Sequence, residues 1–567
     1  MVDAGGTTTL TVTPSSGYAV SSVSGCGGTL SGSTYTTGAI SANCTVTASF
    51  VALQYTVTAA PGSDGTMLPS SATVKFGGTT TFTVKPSSEY AVSSVTGCGG
   101  TLSGSTYTTG AISANCTVTA DFSAAFTWVG GSDTTDAAGV YGTRGVAAAA
   151  NVPGSRDAGV TWTDADGNLW MFGGFAGYAS SVSTAAGNFL NDLWEYSPSS
   201  GEWTWVGGPN TFCSQGVYGT QGVAAAANWP GARSAVISWT DSLGNVWLFG
   251  GGGCSSADAF VLYDDLWEYS PSSGEWTWVG GSSASYVTGV YGTQGMPATT
   301  NMPGSRADSA KWTDVSGNLW LFGGDGYDTS TSAMAPLNDL WKYSPSGGEW
   351  TWIGGSNTFD SKGVYGTQGV AAATNVPGAR SGALSWTDAE GNFWLFGGYG
   401  YDSAGQRGTL SDLWEYSPST GEWTWVNGPD TANATAVYGT QGVASAANVP
   451  APRDAAASWT DSSGNLWLFG GEGFNASTGY FHRLNDLWKY SPSSGEWTWV
   501  AGSSTFDATG VYGTQGTAAV TNVPGARAAP FTWTDGSGNV WLFGGYQYDD
   551  PTNTRYEMND LWKYPTQ

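Results

Sequence analysis

The sequence is poor in basic residues and in histidine. It has 17 lysines and arginines against 43 aspartates and glutamates, a formal net charge of −26. Such a charge repels phosphate backbones and anionic lipid headgroups, so we expect no nucleic-acid partner. His482 is the only histidine, so a multi-histidine metal site cannot form and a histidine-based triad has one possible base. We expect no metal and no cofactor, and we expect His482 to be exposed in its variable loop.

Long apolar runs are also missing. No segment approaches the roughly 18 apolar residues that a membrane-spanning helix needs, so we expect no direct insertion into a membrane. The first residues, MVDAGGTTTL, lack the basic segment and apolar run of a secretory signal peptide. The chain still has 40% apolar and 14% aromatic residues, which favours a buried core over wholesale disorder.

Two near-identical segments open the chain, at 7–50 and 79–122, and both contain GCGGTLSGSTYTTGAISANCTVTA. Their alternating Thr/Val runs predict short strands. The second copy follows YTVTAAPGSDGTMLPSSATVKFGG, whereas the first follows only MVDAGG. We infer that the first copy lacks one or two strands and that the chain begins inside a longer parent protein. The predicted modules are 1–51 and 52–122.

The stretches GYAVSSV and EYAVSSV and the closing CTVTA resemble the divergent internalin B-type repeats of bacterial surface proteins, which are small β-grasp-like modules. The resemblance implies a tandem stalk or spacer in an extracellular or bacterial cell-surface protein. The signal sequence would then lie in the missing N-terminal part.

Each module carries two cysteines at matching positions, Cys26 with Cys44 and Cys98 with Cys116. Equal spacing in both copies favours one disulfide per module, each stabilising by about 3 kcal/mol through loop entropy. The alternative is four unpaired core thiols. Paired cysteines in small β modules favour an oxidising, extracytoplasmic setting.

A second repeat begins near residue 126 and contains NLWMFGG or a close variant six times. Each unit predicts a strand such as GVTWT, a D-x-x-G-N turn, the LWLFGG strand, a variable loop, the strand DLWEYSP, an SSG turn and the strand EWTWVGG. Four short strands in each of six units predict an all-β fold, a six-bladed β-propeller over residues 123–567.

The Gly-Gly doublet, together with the Tyr and Trp of DLWEYSP and EWTW, resembles the kelch repeat. The resemblance implies a partner-binding domain, although one kelch branch contains copper radical oxidases with two histidine ligands. This chain lacks those histidines, so we expect no oxidase and no enzyme. Kelch units run to about 50 residues; these are longer, and the excess lies in the linker that holds GVYGTQGV.

The last unit ends without its EWTWVGG strand, while an unmatched FTWVGG stands at 126–131. Phe126 and Trp128 match Trp203 and Trp205 in register. We therefore predict that the strand 126–130 completes the last blade as its outer edge, which removes an open edge.

Residues that are identical in every unit are expected to be scaffold. The aspartate of each D-x-x-G-N turn should cap its own turn. The GVYGTQGV tyrosines should pin the linker to neighbouring blades, and they are Tyr141, Tyr218, Tyr291, Tyr365, Tyr438 and Tyr512. The arginines of N-x-P-G-x-R should bridge adjacent blades or bind carbonyls, and they are Arg156, Arg233, Arg306, Arg380, Arg453 and Arg527.

Ligand contacts are expected on the top face, where the variable loops between strands two and three and the linkers crossing that face should lie. Most of the 30 tryptophans fall at equivalent strand positions and should pack between blades, but Trp229 lies in a linker. The candidates are that exposed tryptophan and the aromatic residues after the doublets, namely Tyr178, Trp229, Tyr327, Tyr401, Phe474 and Tyr548. Cys213 and Cys254 should form a third disulfide on the same face, with free thiols as the alternative.

The leading hypothesis is a non-enzymatic secreted or cell-surface bacterial binding or adhesion protein whose top face engages a protein or glycan. One alternative is a structural subunit that self-associates into an extracellular filament or matrix. Another is a glycan hydrolase or lyase that uses carboxylates in the variable loops.

Overall fold

The computed structural model describes residues 1–177, 187–257, 259–328, 333–549 and 554–566. Every regular element within these ranges is a β-strand. They form two compact units, one of residues 1–125 with 518–520 and one of residues 126–517 with 521–567. In the described ranges no helix is long and apolar enough to cross a membrane.

The first unit holds the two repeat modules. The strands of the first module are Thr9–Thr11, Tyr18–Ser24, Thr29–Ser31, Thr34–Thr36 and Thr47–Ala52. Those of the second are Gln54–Pro61, Gly65–Leu68, Ser71–Lys75, Thr81–Pro86, Tyr90–Thr96, Thr101–Ser103, Thr106–Thr108 and Cys116–Ala124. The second module forms two four-stranded sheets, in which Cys116–Ala124 pairs in parallel with Gln54–Pro61.

The second module has a small core beside its disulfide. Val57, Phe82 and Tyr107 are buried in the second module, where the alternating Thr/Val pattern turns every other residue inward. Disulfides join Cys26 to Cys44 and Cys98 to Cys116, with Cα atoms 5.4 and 5.7 Å apart. The expected bridge is therefore present in both modules.

The second unit contains six antiparallel four-stranded sheets, called sheets I to VI in chain order of their first strands. Sheet I consists of Val160–Thr163, Leu169–Ala176, Phe189–Ser197 and Glu202–Gly207. Sheet II consists of Ile237–Thr240, Val246–Phe249, Leu266–Ser270 and Glu275–Gly280. Sheet III consists of Ala310–Thr313, Leu319–Asp328, Ala333–Ser344 and Glu349–Gly354. Sheet IV consists of Leu384–Thr387, Phe393–Phe396, Leu413–Ser417 and Glu422–Asn427. Sheet V consists of Ala457–Thr460, Leu466–Phe469, Leu487–Ser491 and Glu496–Ala501. Sheet VI consists of Phe531–Thr534, Asn539–Phe543, Leu561–Pro565 and Thr127–Gly130.

Short strands extend the sheets beyond the Gly-Gly doublets. Two-residue strands begin at the arginines, at Arg156–Asp157, Arg233–Ser234, Arg306–Ala307 and Arg380–Ser381. The separate hairpin strands are Gly252–Cys254 with Phe260–Leu262, Tyr399–Tyr401 with Arg407–Thr409, Glu472–Asn475 with Tyr480–Arg483, and Tyr546–Asp549 with Thr554–Glu557. We call this end of the second unit the arginine end.

The core lies between consecutive sheets. Trp162 and Phe172 of sheet I pack with Trp267 and Trp276 of sheet II. The same kind of cluster joins sheet VI to sheet I, where Trp541 contacts Tyr196 at 5.5 Å between ring centroids. These positions alternate along each strand, so large aromatic side chains fill the space on both faces of a sheet.

A ring of backbone hydrogen bonds joins all six sheets at the arginine end. The residue two positions after each arginine donates its backbone N–H to the carbonyl oxygen of the equivalent residue in the preceding sheet. The N···O distances are 2.6 to 3.1 Å. The ring residues are Ala158, Ala235, Asp308, Gly382, Ala455 and Ala529. All six have positive φ, between 50° and 64°. Because Ala158 donates to Ala529, the six sheets follow one another in cyclic order.

The two ends of the second unit meet in sheet VI, as the register of the repeats predicts. Trp128 pairs with Trp562 as Trp205 pairs with Trp194. The linker contact is also repeated, because Gly516 donates to the carbonyl of Trp128 at 2.8 Å.

The linkers have two parts: the residues before GVYGTQGV contact strands and hairpins at the arginine end, as Cys213 N–H does by donating to Phe189 O at 2.9 Å, whereas the GVYGTQGV segment lies along a sheet edge. Each linker runs along the outer strand of the sheet that it enters. Before sheet II, Gly222 N–H donates to Trp278 O at 2.8 Å and Gln221 Nε2 donates to Val279 O at 3.0 Å. The linker thus covers a strand edge that would otherwise be open.

Candidate functional site: a funnel at the arginine end

The repeated polar residues form one buried cluster in each sheet. Arg233 Nη1 and Nη2 lie 2.7 and 2.8 Å from the Asp265 carboxylate oxygens. Asp265 Oδ2 also accepts hydrogen bonds from Tyr218 OH at 2.7 Å and Trp267 Nε1 at 2.8 Å. Burial and the Asp265 carboxylate raise the pKa of Tyr218. The linker tyrosine, the arginine and the third strand are therefore joined through a single carboxylate.

The same ion pair is present six times, with arginine and aspartate side chains at most 1% exposed. The pairs are Arg156–Asp192, Arg233–Asp265, Arg306–Asp339, Arg380–Asp412, Arg453–Asp486 and Arg527–Asp560. Each guanidinium also binds a carbonyl of its own sheet, such as that of Gly250 at 3.0 Å from Arg233. Neighbouring sheets are joined by the arginine backbone instead, since Gly251 N–H donates to Arg306 O at 2.8 Å.

A cavity of about 380 Å3 opens above the ring of hydrogen bonds, and we call it the funnel. Its floor includes Ala158, Asp308 and Gly382 of the ring. Its walls are the residues that follow the arginines and the doublets, together with hairpin residues such as Arg555. The arginines and Gly-Gly doublets, which are the same in every sheet, therefore frame the cavity, and the residues next to them line it.

The lining positions differ from sheet to sheet. After the arginines stand Asp157, Ser234, Ala307, Ser381, Asp454 and Ala528. After the doublets stand Phe175, Gly252, Asp325, Tyr399, Glu472 and Tyr546. Most residues of both sets line the funnel. The scaffold residues are thus the same in all six sheets, but the residues that line the cavity are not.

Arg555 links one wall of the funnel to its aromatic residues. Its guanidinium forms an ion pair with the buried Asp157 carboxylate and lies 4.1 Å from the Tyr546 ring centroid and 4.8 Å from that of Phe175. Such cation–π contacts orient both partners. Burial and the neighbouring Asp157 raise the pKa of Glu557 to about 8, although Arg555 opposes the shift.

A second guanidinium stands over the same tyrosine. Arg483 pairs with Glu472 and lies 4.9 Å from the Tyr546 ring centroid. Tyr546 OH in turn donates to Glu472 Oε2 at 2.8 Å. Burial raises the pKa of the nearby Asp454 well above its usual value, and the charges of Glu472 and Asp308 add to the shift.

Asp308 is the one carboxyl in the ring of hydrogen-bonded residues. Its side chain is exposed within the funnel, but close surrounding protein limits its hydration. This loss of hydration, with the charges of Asp325 and Asp157, raises the pKa of Asp308 to about 7. A carboxyl of this kind is partly protonated at neutral pH, so it can donate a hydrogen bond as well as accept one.

The funnel combines aromatic rings, carboxyls and guanidinium groups around one opening. Aromatic faces pack on the apolar faces of sugar rings, and carboxyl groups bind hydroxyl groups. Among the described residues no cluster of three or more His, Cys, Asp or Glu side chains is arranged to hold a metal ion.

The aromatic candidates lie on the hairpins outside the funnel lining. Tyr327 packs on Tyr286 at 4.4 Å between centroids, and Phe474 packs on Phe481 at 5.6 Å. Tyr548 lies under Arg483 at 4.1 Å, and Tyr401 is half-buried. Tyr178 lies outside the described residues. The residues that line the funnel lie two positions closer to the Gly-Gly doublets than these candidates do. Their variation from repeat to repeat is the sequence feature that could have indicated a binding position.

Trp229 is not an exposed side chain, contrary to the sequence interpretation. It is half-buried, and its ring lies 6.2 Å from that of Trp276 and 6.5 Å from that of Phe172. Its Nε1 donates to Asn191 O at 2.7 Å. It fills the space between sheets I and II beside the linker.

His482 is also buried, at 5% exposure, although its loop suggested an exposed residue. One ring nitrogen is 2.7 Å from Thr478 Oγ1, and the other bonds the Asp507 carboxylate. The loop forms a hairpin that packs its histidine against the following linker.

The third disulfide joins Cys213 of a linker to Cys254 of the sheet II hairpin, with Cα atoms 5.3 Å apart. Phe175 and Phe189 pack beside it, and both also line the funnel. The expected bridge therefore supports the funnel wall on the side of sheets I and II.

Comparison with known proteins identifies the N-terminal repeats. The family described as divergent InlB B-repeat domain matches residues 1–54 and 55–126. This confirms the resemblance inferred from the repeated motifs. No curated protein matches the chain. One solved structure that it resembles is the structure of YjhT, at 14% identity and a TM-score of 0.42, over 74% of this chain and 95% of that one.

The raised pKa of Asp308 predicts that the stability of the second unit depends on pH. Its pKa is about 7 in the folded protein and about 4 in an unfolded chain, so the folded state keeps a proton that the unfolded state has lost. Stability should fall as the pH rises from about 4 to 7. Asp308→Asn removes this loss, so the variant should melt at a higher temperature than the native chain at pH 8 and at the same temperature at pH 4.

Tryptophan fluorescence measures this effect in the full chain, because every tryptophan lies in the second unit. Asp166→Asn, in an exposed turn, is the matched control. Equal melting temperatures of Asp308→Asn and the native chain at pH 8 would show that the funnel does not perturb this carboxyl.

Proposed function

We propose that this chain is a secreted or cell-surface binding protein, that residues 126–567 are a six-bladed kelch-like propeller, and that its funnel binds a glycan without catalysing a reaction. The cyclic order of the sheets supports the propeller. The repeat family at 1–126 and three disulfides support an extracellular location.

The contrast between scaffold and lining carries the proposal. Every arginine–aspartate pair is kept in all six sheets, whereas the adjacent lining changes from Asp to Tyr, Phe, Ser or Gly. A scaffold needs equivalent residues, but an asymmetric ligand needs different ones. A constant buried scaffold beside a varied cavity lining is typical of a binding site.

The funnel's composition favours a sugar over an extended peptide. Tyr399 supplies an aromatic ring, and Asp325 and Asp308 supply acceptors within the same cavity. Arg407 lies 4.8 Å from the Tyr399 ring centroid, so it restricts the position of that ring. A cavity of about 380 Å3 accommodates a small number of sugar rings.

A glycan array probed with the full chain should identify saccharides that bind. For such a saccharide, Tyr399→Ala and Asp325→Asn should each weaken the affinity about tenfold, because each removes one packing or hydrogen-bonding group worth roughly 1 to 2 kcal/mol. Val315→Thr, in an exposed D-x-x-G-N turn, should leave the affinity unchanged.

Isothermal titration calorimetry gives these affinities, and product analysis of the same mixtures tests the non-enzymatic part of the proposal. Absence of any bound glycan, or affinities unaffected by both funnel substitutions, would contradict glycan binding. Cleavage of the saccharide would instead favour the hydrolase or lyase alternative.

A second candidate function, self-association, is favoured by the linker hairpins. Five of the six expose an apolar side chain directly after the GVYGTQG, AVYGTQG or GVYGTRG segment, and these are Val146, Val223, Met296, Val370 and Val443, between 51% and 60% exposed. The six hairpins from the GVY or AVY segment to the following P-G or P-A contain one charged residue, Arg144. They form a belt with a single charged residue on a chain of net charge −26, where copies of like charge can approach.

Light scattering of the full chain over a range of concentrations should show assemblies that grow with concentration. The double variant Val223→Glu/Val370→Glu should dissociate them, because it places charges in the belt. The matched variant Leu243→Glu/Val315→Glu changes two turn residues that are 84% and 92% exposed, and it should not. A monomer at every concentration, or equal effects of the two variants, would count against self-association.

A further inference from the structure

The scaffold breaks its sixfold pattern at one more place, below the ring of hydrogen bonds. The second residue of the first strand is a serine or threonine in five sheets and a lysine in sheet III. The six are Thr161, Ser238, Lys311, Ser385, Ser458 and Thr532. Because a hydroxyl serves this position five times, the lysine is not needed to form the strand.

Lys311 lines a cavity of about 210 Å3, together with Ser385, Ser458 and residues of the ring. Its Nζ lies 2.7 Å from Ser238 Oγ. Within the described part of the chain it forms no ion pair, although this chain has a large excess of carboxylates. A structural lysine would be expected to meet a carboxylate.

Burial without a counter-ion changes the chemistry of the amine. It lowers the pKa of Lys311 to about 8, so a substantial fraction is neutral near physiological pH. A neutral amine in a partly apolar cavity is a nucleophile toward carbonyl carbon. Hydroxyls beside it can accept and return protons during the addition.

We propose that Lys311 is a carbonyl-binding residue that captures a small aldehyde or ketone as an imine in the cavity below the ring. The Nζ lone pair forms a bond to the carbonyl carbon, and the carbonyl oxygen leaves as water with the two protons of the amine. Ser238 Oγ is placed to relay one of these protons. The reaction needs no oxidant or reductant and is reversible by water.

The cavity size restricts the class of ligand. A volume of about 210 Å3 holds a short aldehyde or the open-chain form of a small sugar. The inference does not depend on glycan binding in the funnel, since Lys311 is not part of the funnel lining.

The test exposes the full chain to propanal and sodium cyanoborohydride at pH 7.5, which reduces any imine to a stable propyl adduct. Peptide mass spectrometry then follows each lysine with time. We expect Lys311 to be modified at least about tenfold faster than the exposed Lys362, because more of its amine is neutral.

Lys311→Arg keeps a long basic side chain but removes the nucleophilic amine, and it should abolish the fast adduct. Lys362→Arg is the matched control and should retain it. Native tryptophan fluorescence in both variants verifies folding. Modification of Lys311 at the rate of Lys362 or more slowly in the native chain would overturn the proposal, and that result requires no variant to fold.

Discussion

The second unit depends on the buried ion pair between the arginine of N-x-P-G-x-R and the aspartate of DLW. A guanidinium removed from water is costly unless every donor finds an acceptor. In sheet II, the Asp265 carboxylate accepts hydrogen bonds from both terminal nitrogens of Arg233. The carbonyls of Gly231 and Gly250 accept two more from the same guanidinium. The same carboxylate binds the linker tyrosine and a strand tryptophan. One interaction thus connects the linker, the segment that leads into the first strand and the third strand of a sheet, and it does so six times.

This rigid arrangement leaves the neighbouring positions free to vary. The ring residues need only a left-handed backbone, which Ala, Gly and Asp all provide here. Asp308 can therefore place a carboxyl in the funnel without disturbing the ring. Lys311 likewise replaces a hydroxyl residue without altering its strand. The constant residues and the variable cavity-lining residues are thus separated by one or two positions in sequence and lie together at the ring of hydrogen bonds.

The strands and the pairing of the two ends of the second unit in sheet VI could be predicted from the repeats, because Phe126 and Trp128 share a register with Trp203 and Trp205. The aspartate partner of each arginine was missed, since it was interpreted as part of the DLWEYSP strand and pairs over more than thirty residues. The funnel lining was missed for another reason. Residues such as Asp325 and Tyr399 differ between repeats, so a search for what is shared does not find them. The sequence does not show that hairpin packing buries His482 or that Trp229 packs half-buried between two sheets.

The most direct test of this account is the free energy of unfolding of Arg306→Met, measured in the full chain by denaturant and tryptophan fluorescence. Removal of the guanidinium leaves the Asp339 carboxylate buried without its partner, so the account predicts a loss of about 3 to 5 kcal/mol. The double variant Arg306→Met/Asp339→Leu should recover part of that loss, because no unpaired charge remains buried. Arg144→Met, at an exposed linker position, is the control. A change of less than about 1 kcal/mol for Arg306→Met, as for an exposed ion pair, would contradict the central role of the arginine–aspartate pair.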